Sequence, residues 1–119
     1  MSRVLVVEDD EVLRWLMSDA VTLLGHQVTA CTNADEALSK LGAASAFELI
    51  ITDIQMPGSV DGLGLARTVW SKHPQIAVIL VSGHIVPAPG RLPGNVRFVA
   101  KPYTLRLLQR AIKELLNTP

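Results

Sequence analysis

Four places in this chain set a chemically active side chain directly after a short apolar run. Glu8 and Asp9 follow residues 4–7, Asp53 follows 49–52, Ser82 follows 76–81, and Lys101 follows 98–100. Acidic residues after a strand are common turn formers, so one such ending carries little. Four endings with complementary chemistry carry more, because open parallel sheets bind ligands beyond the carboxyl ends of their strands, where the strand order reverses. Gathered there, Glu8, Asp9 and Asp53 form a carboxylate cluster whose mutual repulsion raises their pKa values or destabilises the fold unless positive charge is near. Mg2+ suits the cluster, since this hard ion takes oxygen ligands octahedrally through one or two carboxylates and keeps several waters; Mn2+ has similar ligand preferences. Lys101 supplies a further positive charge.

For these residues to meet, strands and helices must alternate, and the apolar pattern alternates in that way. Residues 4–7 are a continuous branched run, as in a strand buried on both faces. Residues 11–24 place Leu13, Leu16, Met17, Ala20, Val21 and Leu24 on one helical face, with Gly25 at the stop position. Residues 28–30 read as a weaker strand at an edge. Asn33 and Glu36 resemble a capping box opening a helix through Leu41. Residues 49–52, 76–81 and 98–100 are further strands. Residues 62–72 form a helix closed by Pro74, and 105–116 a last amphipathic helix with Leu105, Leu108, Ala111, Ile112 and Leu115 inward. The pattern is α/β with five strand–helix repeats, in which the helix between the fourth and fifth strands is short or absent. Residues 83–95 contain Pro87, Pro89, Gly90, Pro93 and Gly94, and an interior proline costs about 3 kcal/mol in a helix.

The chain has 119 residues, 49% of them hydrophobic, which fits one compact domain over residues 1–119. Eleven basic and eleven acidic residues cancel, and no run of like charge marks a nucleic-acid or membrane surface. No segment approaches membrane-spanning length, and the first apolar run is broken by Glu8, Asp9 and Asp10, unlike a signal peptide. A lone cysteine, Cys31, reads as core filler and agrees with a reducing cytoplasm. His26 and His73 read as surface turn residues.

Val-Val-Glu-Asp-Asp at 6–10, Asp-Ile-Gln-Met-Pro at 53–57, Ser-Gly at 82–83 and Lys-Pro at 101–102 together resemble the response-regulator receiver domains of two-component signalling, the CheY-like family. The resemblance runs over nearly the whole chain. It implies a doubly wound, flavodoxin-like parallel sheet of strand order 2-1-3-4-5 and a phosphoacceptor at Asp53. It further implies Asp9 as a direct metal ligand, Glu8 as a ligand through water, and the backbone carbonyl of Gln55 as another ligand. Ser82 is then the switch hydroxyl, Phe98 the aromatic that follows it, and Lys101 the contact to phosphoryl oxygens. Gln55 and His84 fall where the family tunes dephosphorylation, and the Lys101–Pro102 bond is cis. The implied partner is a histidine kinase or a histidine-phosphotransfer protein. The implied chemistry is magnesium-dependent self-phosphorylation and autodephosphorylation rather than turnover of a separate substrate. Trp15, opposite the core stripe of the first helix, is a candidate docking residue, tryptophan being enriched at interface hot spots.

Two features depart from the commonest family pattern. Ser59 and Val60 lengthen the loop before Asp61 and Gly62, and Phe98 lacks the hydroxyl of a tyrosine. A degenerate receiver that only binds partners is the main alternative, but it would lack part of the acidic set or Lys101. A metal-dependent phosphatase with an aspartyl intermediate would carry an acid where Gln55 stands. A nucleotide-binding domain would carry a glycine-rich turn after the first strand, and none is present.

Overall fold

The computed structural model describes residues 2–43, 47–55, 61–83 and 94–116. Its elements are β1 (Arg3–Val7), α1 (Glu11–Leu23), β2 (Gln27–Cys31), α2 (Ala34–Ala43), β3 (Leu49–Asp53), α3 (Gly62–Lys72), β4 (Ala77–Ser82), β5 (Val96–Ala100) and α4 (Leu105–Leu116). The strands form one five-stranded sheet in the order β2-β1-β3-β4-β5, with every neighbouring pair parallel. This is the doubly wound order expected. The expected shortening of the helix between β4 and β5 falls mainly on residues 84–93, outside the described residues, as do His84 and the Ser59–Val60 insertion.

Alternation along the strands divides the interior into two layers. Leu5, Val7, Ile50, Val78 and Leu80 face Leu65, Ala66 and Val69 of α3 and Ala34 and Ala37 of α2. Val4, Val6, Leu49, Ile51, Ile79 and Val81 face Met17, Ala20 and Val21 of α1 and Leu108 and Ile112 of α4. Because both faces are covered, β3 and β4 are buried along their whole length. That is why they read as unbroken apolar runs rather than as alternating ones.

Caps set where the helices begin. Asp10 Oδ1 accepts from the Leu13 N–H at 2.9 Å and Asp61 Oδ1 from the Gly64 N–H at 2.7 Å, satisfying amides that the first turn leaves open. Asn33 Oδ1 accepts from the Glu36 N–H at 2.8 Å, while Glu36 Oε1 reaches back to the Thr32 N–H, also at 2.8 Å. The capping box is therefore present with its return bond displaced by one residue. Gly25, at φ +87°, ends α1 in the left-handed region that glycine enters most readily.

Strand ends differ from the sequence reading by one or two residues. Gln27, Cys31, Asp53, Ser82, Val96 and Arg97 all join ladders because backbone pairing continues past the apolar run. His26 is a correction: it is only 6% exposed, not a surface turn residue. The chain turns back at Gly25, and His26 Nδ1 then accepts from the Ser2 N–H at 2.9 Å. Cys31 is buried, and burial pushes its thiol up to about 11.

Candidate functional site

The sheet order sets β1 beside β3, with the two chain directions of winding parting between them. Glu8 and Asp9 leave the end of β1 and Asp53 ends β3. One carboxylate oxygen from each of the three lies within 4.8 Å of the others. The cluster anticipated from the strand ends is thus assembled. Ser82 ends β4 at the same edge, and its carbonyl accepts from the Lys101 N–H at 2.9 Å just beyond β5. The Lys101–Pro102 peptide is cis.

Asp53 is buried and both of its carboxylate oxygens are engaged. Oδ2 accepts from Lys101 Nζ at 2.5 Å and Oδ1 from the Gln55 N–H at 3.0 Å. Lys101 Nζ also stands 3.7 Å from Glu8 Oε1, an ion-pair distance too long for a hydrogen bond. Burial works against the lysine's charge, but the hydrogen bond it donates to Asp53 and the charge of Glu8 hold its pKa above the ordinary value. Glu8 is 1% exposed. Burial is the largest influence on its carboxyl, the neighbouring Asp9 and Asp53 add to it, and the pKa is pushed up to about 8 against the pull of the Asp10 N–H. A bound cation would relieve that cost, and the all-oxygen donor set suits a hard one.

Arg14 carries a role that sequence reading missed. Its Nη1 donates to the Glu8 carbonyl at 3.0 Å and the Asp9 carbonyl at 3.3 Å, tying the acidic turn to α1. In sequence it is one more polar residue of an amphipathic helix. Glu8 Oε2 in turn accepts from the Asp10 N–H at 3.0 Å, so the turn is braced on both sides.

Beside Asp53 opens a cavity of about 600 Å³, with Gln55 and Lys101 on its polar side and Leu13, Leu16, Pro102 and Tyr103 on its apolar side. Tyr103, also missed, has a buried hydroxyl with no hydrogen-bond partner among the described residues. Burial, then the charges of Glu8 and Asp53, push its pKa up to about 12. Phe98 is half-buried on the layer shared with α2 and α3 and lies in register with Leu80. Trp15 is 64% exposed, as its helical position implied, and α1 also exposes Val12 and Leu23.

Comparison with known proteins agrees with this arrangement. The sequence model of the response regulator receiver domain matches residues 4–113. The chain is 34% identical over 110 residues to the response regulator protein FleR of Pseudomonas aeruginosa, covering 90% of this chain but 23% of FleR. It therefore spans about a quarter of that relative's length. It is 31% identical over 119 residues to the response regulator receiver protein CpdR of Brucella abortus, covering 98% of each. The structure matches that of the response regulator TrrA from Thermotoga maritima, solved in complex with Mg2+ and BeF, with a TM-score of 0.83, 28% identity and coverage of 97% of this chain and 99% of TrrA. With the sheet order, the carboxylate cluster at its switch point and the match over residues 4–113 in agreement, the chain belongs to the response regulator receiver domain family.

Proposed function

We propose that this chain is a phosphoacceptor receiver: it takes a phosphoryl group from a histidine kinase or phosphotransfer protein onto Asp53 and changes conformation in response. The observation that carries the reading is the carboxylate of Asp53, held by Lys101 and Gln55 within a cluster of three acids. Asp9 and Asp53 would hold Mg2+ directly, with the Gln55 carbonyl, and Glu8 through water; Mn2+ would fit the same donors. When bound, the ion supplies positive charge to the oxygens of the transferring group. TrrA, solved with Mg2+ and BeF, supports this assignment by likeness.

In the transfer step a carboxylate oxygen of Asp53 attacks phosphorus in line. The P–N bond to the donor imidazole breaks, its electron pair returns to the nitrogen, and an acyl phosphate forms on Asp53. Lys101 stays paired with the charge as it moves onto the phosphoryl oxygens, so catalysis is positioning plus electrostatics. The new dianion exceeds the positive charge present, which draws the Ser82 hydroxyl toward it. Phe98 then moves into the space released. Water later attacks phosphorus and returns the aspartate, at a rate to which Gln55 and His84 contribute. Trp15 lies on the surface where a donor helix would dock. The whole chain acts as one receiver unit in the cytoplasm; among the described residues no helix is long and apolar enough to cross a membrane.

Intact mass after incubation with Mg2+ and acetyl phosphate tests this. The native chain should gain one phosphoryl group and Asp53→Asn none, with stability in the absence of metal held or raised because one of three crowded carboxylates is gone. Labelling of the variant at native stoichiometry would remove Asp53 as the acceptor. No labelling of the native chain would favour the partner-binding alternative, against which the intact acidic set and Lys101 now speak.

A further inference from the structure

The Tyr103 hydroxyl sits in an unusual position for a polar group. It is shut off from solvent, has no hydrogen-bond partner among the described residues, and belongs to a side chain that lines the cavity next to Asp53. A buried hydroxyl left unpaired costs free energy. Such a group in a folded protein calls for an explanation, most simply a partner that arrives later. Local packing alone does not require it, because a phenylalanine ring would fill the same place against the apolar layer that α1 and α4 cover.

What arrives in this cavity under the proposed function is an anion rich in acceptors. Before transfer, Asp53 offers two oxygens, and the Lys101 ammonium and the Gln55 amide already serve them. A phosphoryl group on Asp53 adds terminal oxygens that need donors of their own. Tyr103 remains protonated throughout the neutral range because burial and the neighbouring carboxylates disfavour its phenolate. It can therefore only donate to an incoming oxyanion.

We propose that the Tyr103 hydroxyl is a reserved donor to the oxyanion formed on Asp53, directly or through one water, and so a further binding residue of the receiver site. The inference rests on the phosphoacceptor reading and adds a specific residue to it. It also separates two demands on position 103: the ring packs the apolar wall, and the oxygen serves the loaded state only.

Beryllofluoride, which mimics a phosphoryl group on a carboxylate, is the probe. Its apparent affinity in the presence of Mg2+ can be titrated by tryptophan fluorescence for the native chain and for Tyr103→Phe, a change that removes one oxygen and keeps the ring. The expected result is about 3- to 10-fold weaker beryllofluoride binding, the range of one net hydrogen bond. Mg2+ affinity should be unchanged and the melting temperature without ligand unchanged or higher. Equal beryllofluoride affinity in both proteins would overturn the proposal. A parallel loss of Mg2+ affinity would also overturn it, by placing the hydroxyl in the metal's surroundings. If the native chain itself takes no beryllofluoride, the phosphoacceptor reading fails first and the role of Tyr103 falls with it.

Discussion

Gly62 lies so close to Asp53 that a Cβ built on it would stand 1.7 Å from the Asp53 carbonyl oxygen and 2.9 Å from the Ile54 Cα. The first residue of α3 is thus packed on the backbone of the proposed phosphoacceptor, and the Gly62 N–H donates to the Ile54 carbonyl at 2.9 Å. The contact is with main chain, which cannot swing aside as a flexible side chain would. Gly62→Ala should therefore cost about 2 kcal/mol or more, at the upper part of the range for overpacking, and should slow phosphorylation by moving Asp53. Gly42, in α2, is the control: a Cβ there meets nothing within 4 Å among the described residues, and Gly42→Ala should stabilise by about 0.5 kcal/mol. Urea denaturation of the two variants checks both signs, and equal effects would remove the steric account.

Glu8 makes stability without metal depend on pH. Its folded-state pKa of about 8 lies above the ordinary 4.5. Below the ordinary value the carboxyl is neutral in both states. As pH rises through the window the unfolded chain loses its proton first, so the folded state loses stability until Glu8 itself ionises. The native chain in chelator should become less stable between about pH 5 and pH 8, by on the order of 3 kcal/mol. Glu8→Gln should flatten that slope and Mg2+ should restore stability at the alkaline end. A native profile without slope would mean that burial of Glu8 carries no such cost.

Arg14→Ala removes both hydrogen bonds that fix the carbonyls of Glu8 and Asp9. The carboxylates should then sample more positions, and Mg2+ should bind about 3- to 10-fold more weakly, as expected when a supporting interaction of one or two hydrogen bonds is lost. Isothermal titration measures this. A lower melting temperature with Mg2+ affinity intact would assign Arg14 to helix packing alone.

Trp15→Ala should distinguish donors. With acetyl phosphate the labelling rate should match the native chain. With a histidine kinase that phosphorylates the native chain it should fall by about tenfold or more, the scale of an aromatic hot spot. Equal rates from the kinase would leave Trp15 as a surface residue without a docking role.

The central strands were legible because both faces of β3 and β4 are buried, leaving unbroken branched runs that no solvent-facing residue interrupts. The carboxylate cluster was legible because a parallel sheet delivers its strand ends to one edge, and Glu8, Asp9 and Asp53 occupy those ends. Arg14, Tyr103 and the closeness of Gly62 to Asp53 were not. Each acts through a contact between segments distant in sequence or through a backbone atom, and neither leaves a periodic signal. His26 was misread for a related reason: its burial follows from the fold-back at Gly25 and the amide of Ser2, not from its own neighbours in sequence.

Among the described residues strand β5 pairs only with β4, yet it carries Lys101 to Asp53 and Glu8. During synthesis on the ribosome, the acidic half of the site emerges with β1 and β3, while the lysine that neutralises it arrives last. A nascent chain holding only the earlier strands would gather three carboxylates without their organic counter-charge, and could not complete the pair with Asp53. Under the phosphoacceptor reading, competence to be labelled at Asp53 therefore doubles as a readout of docking of the edge strand β5.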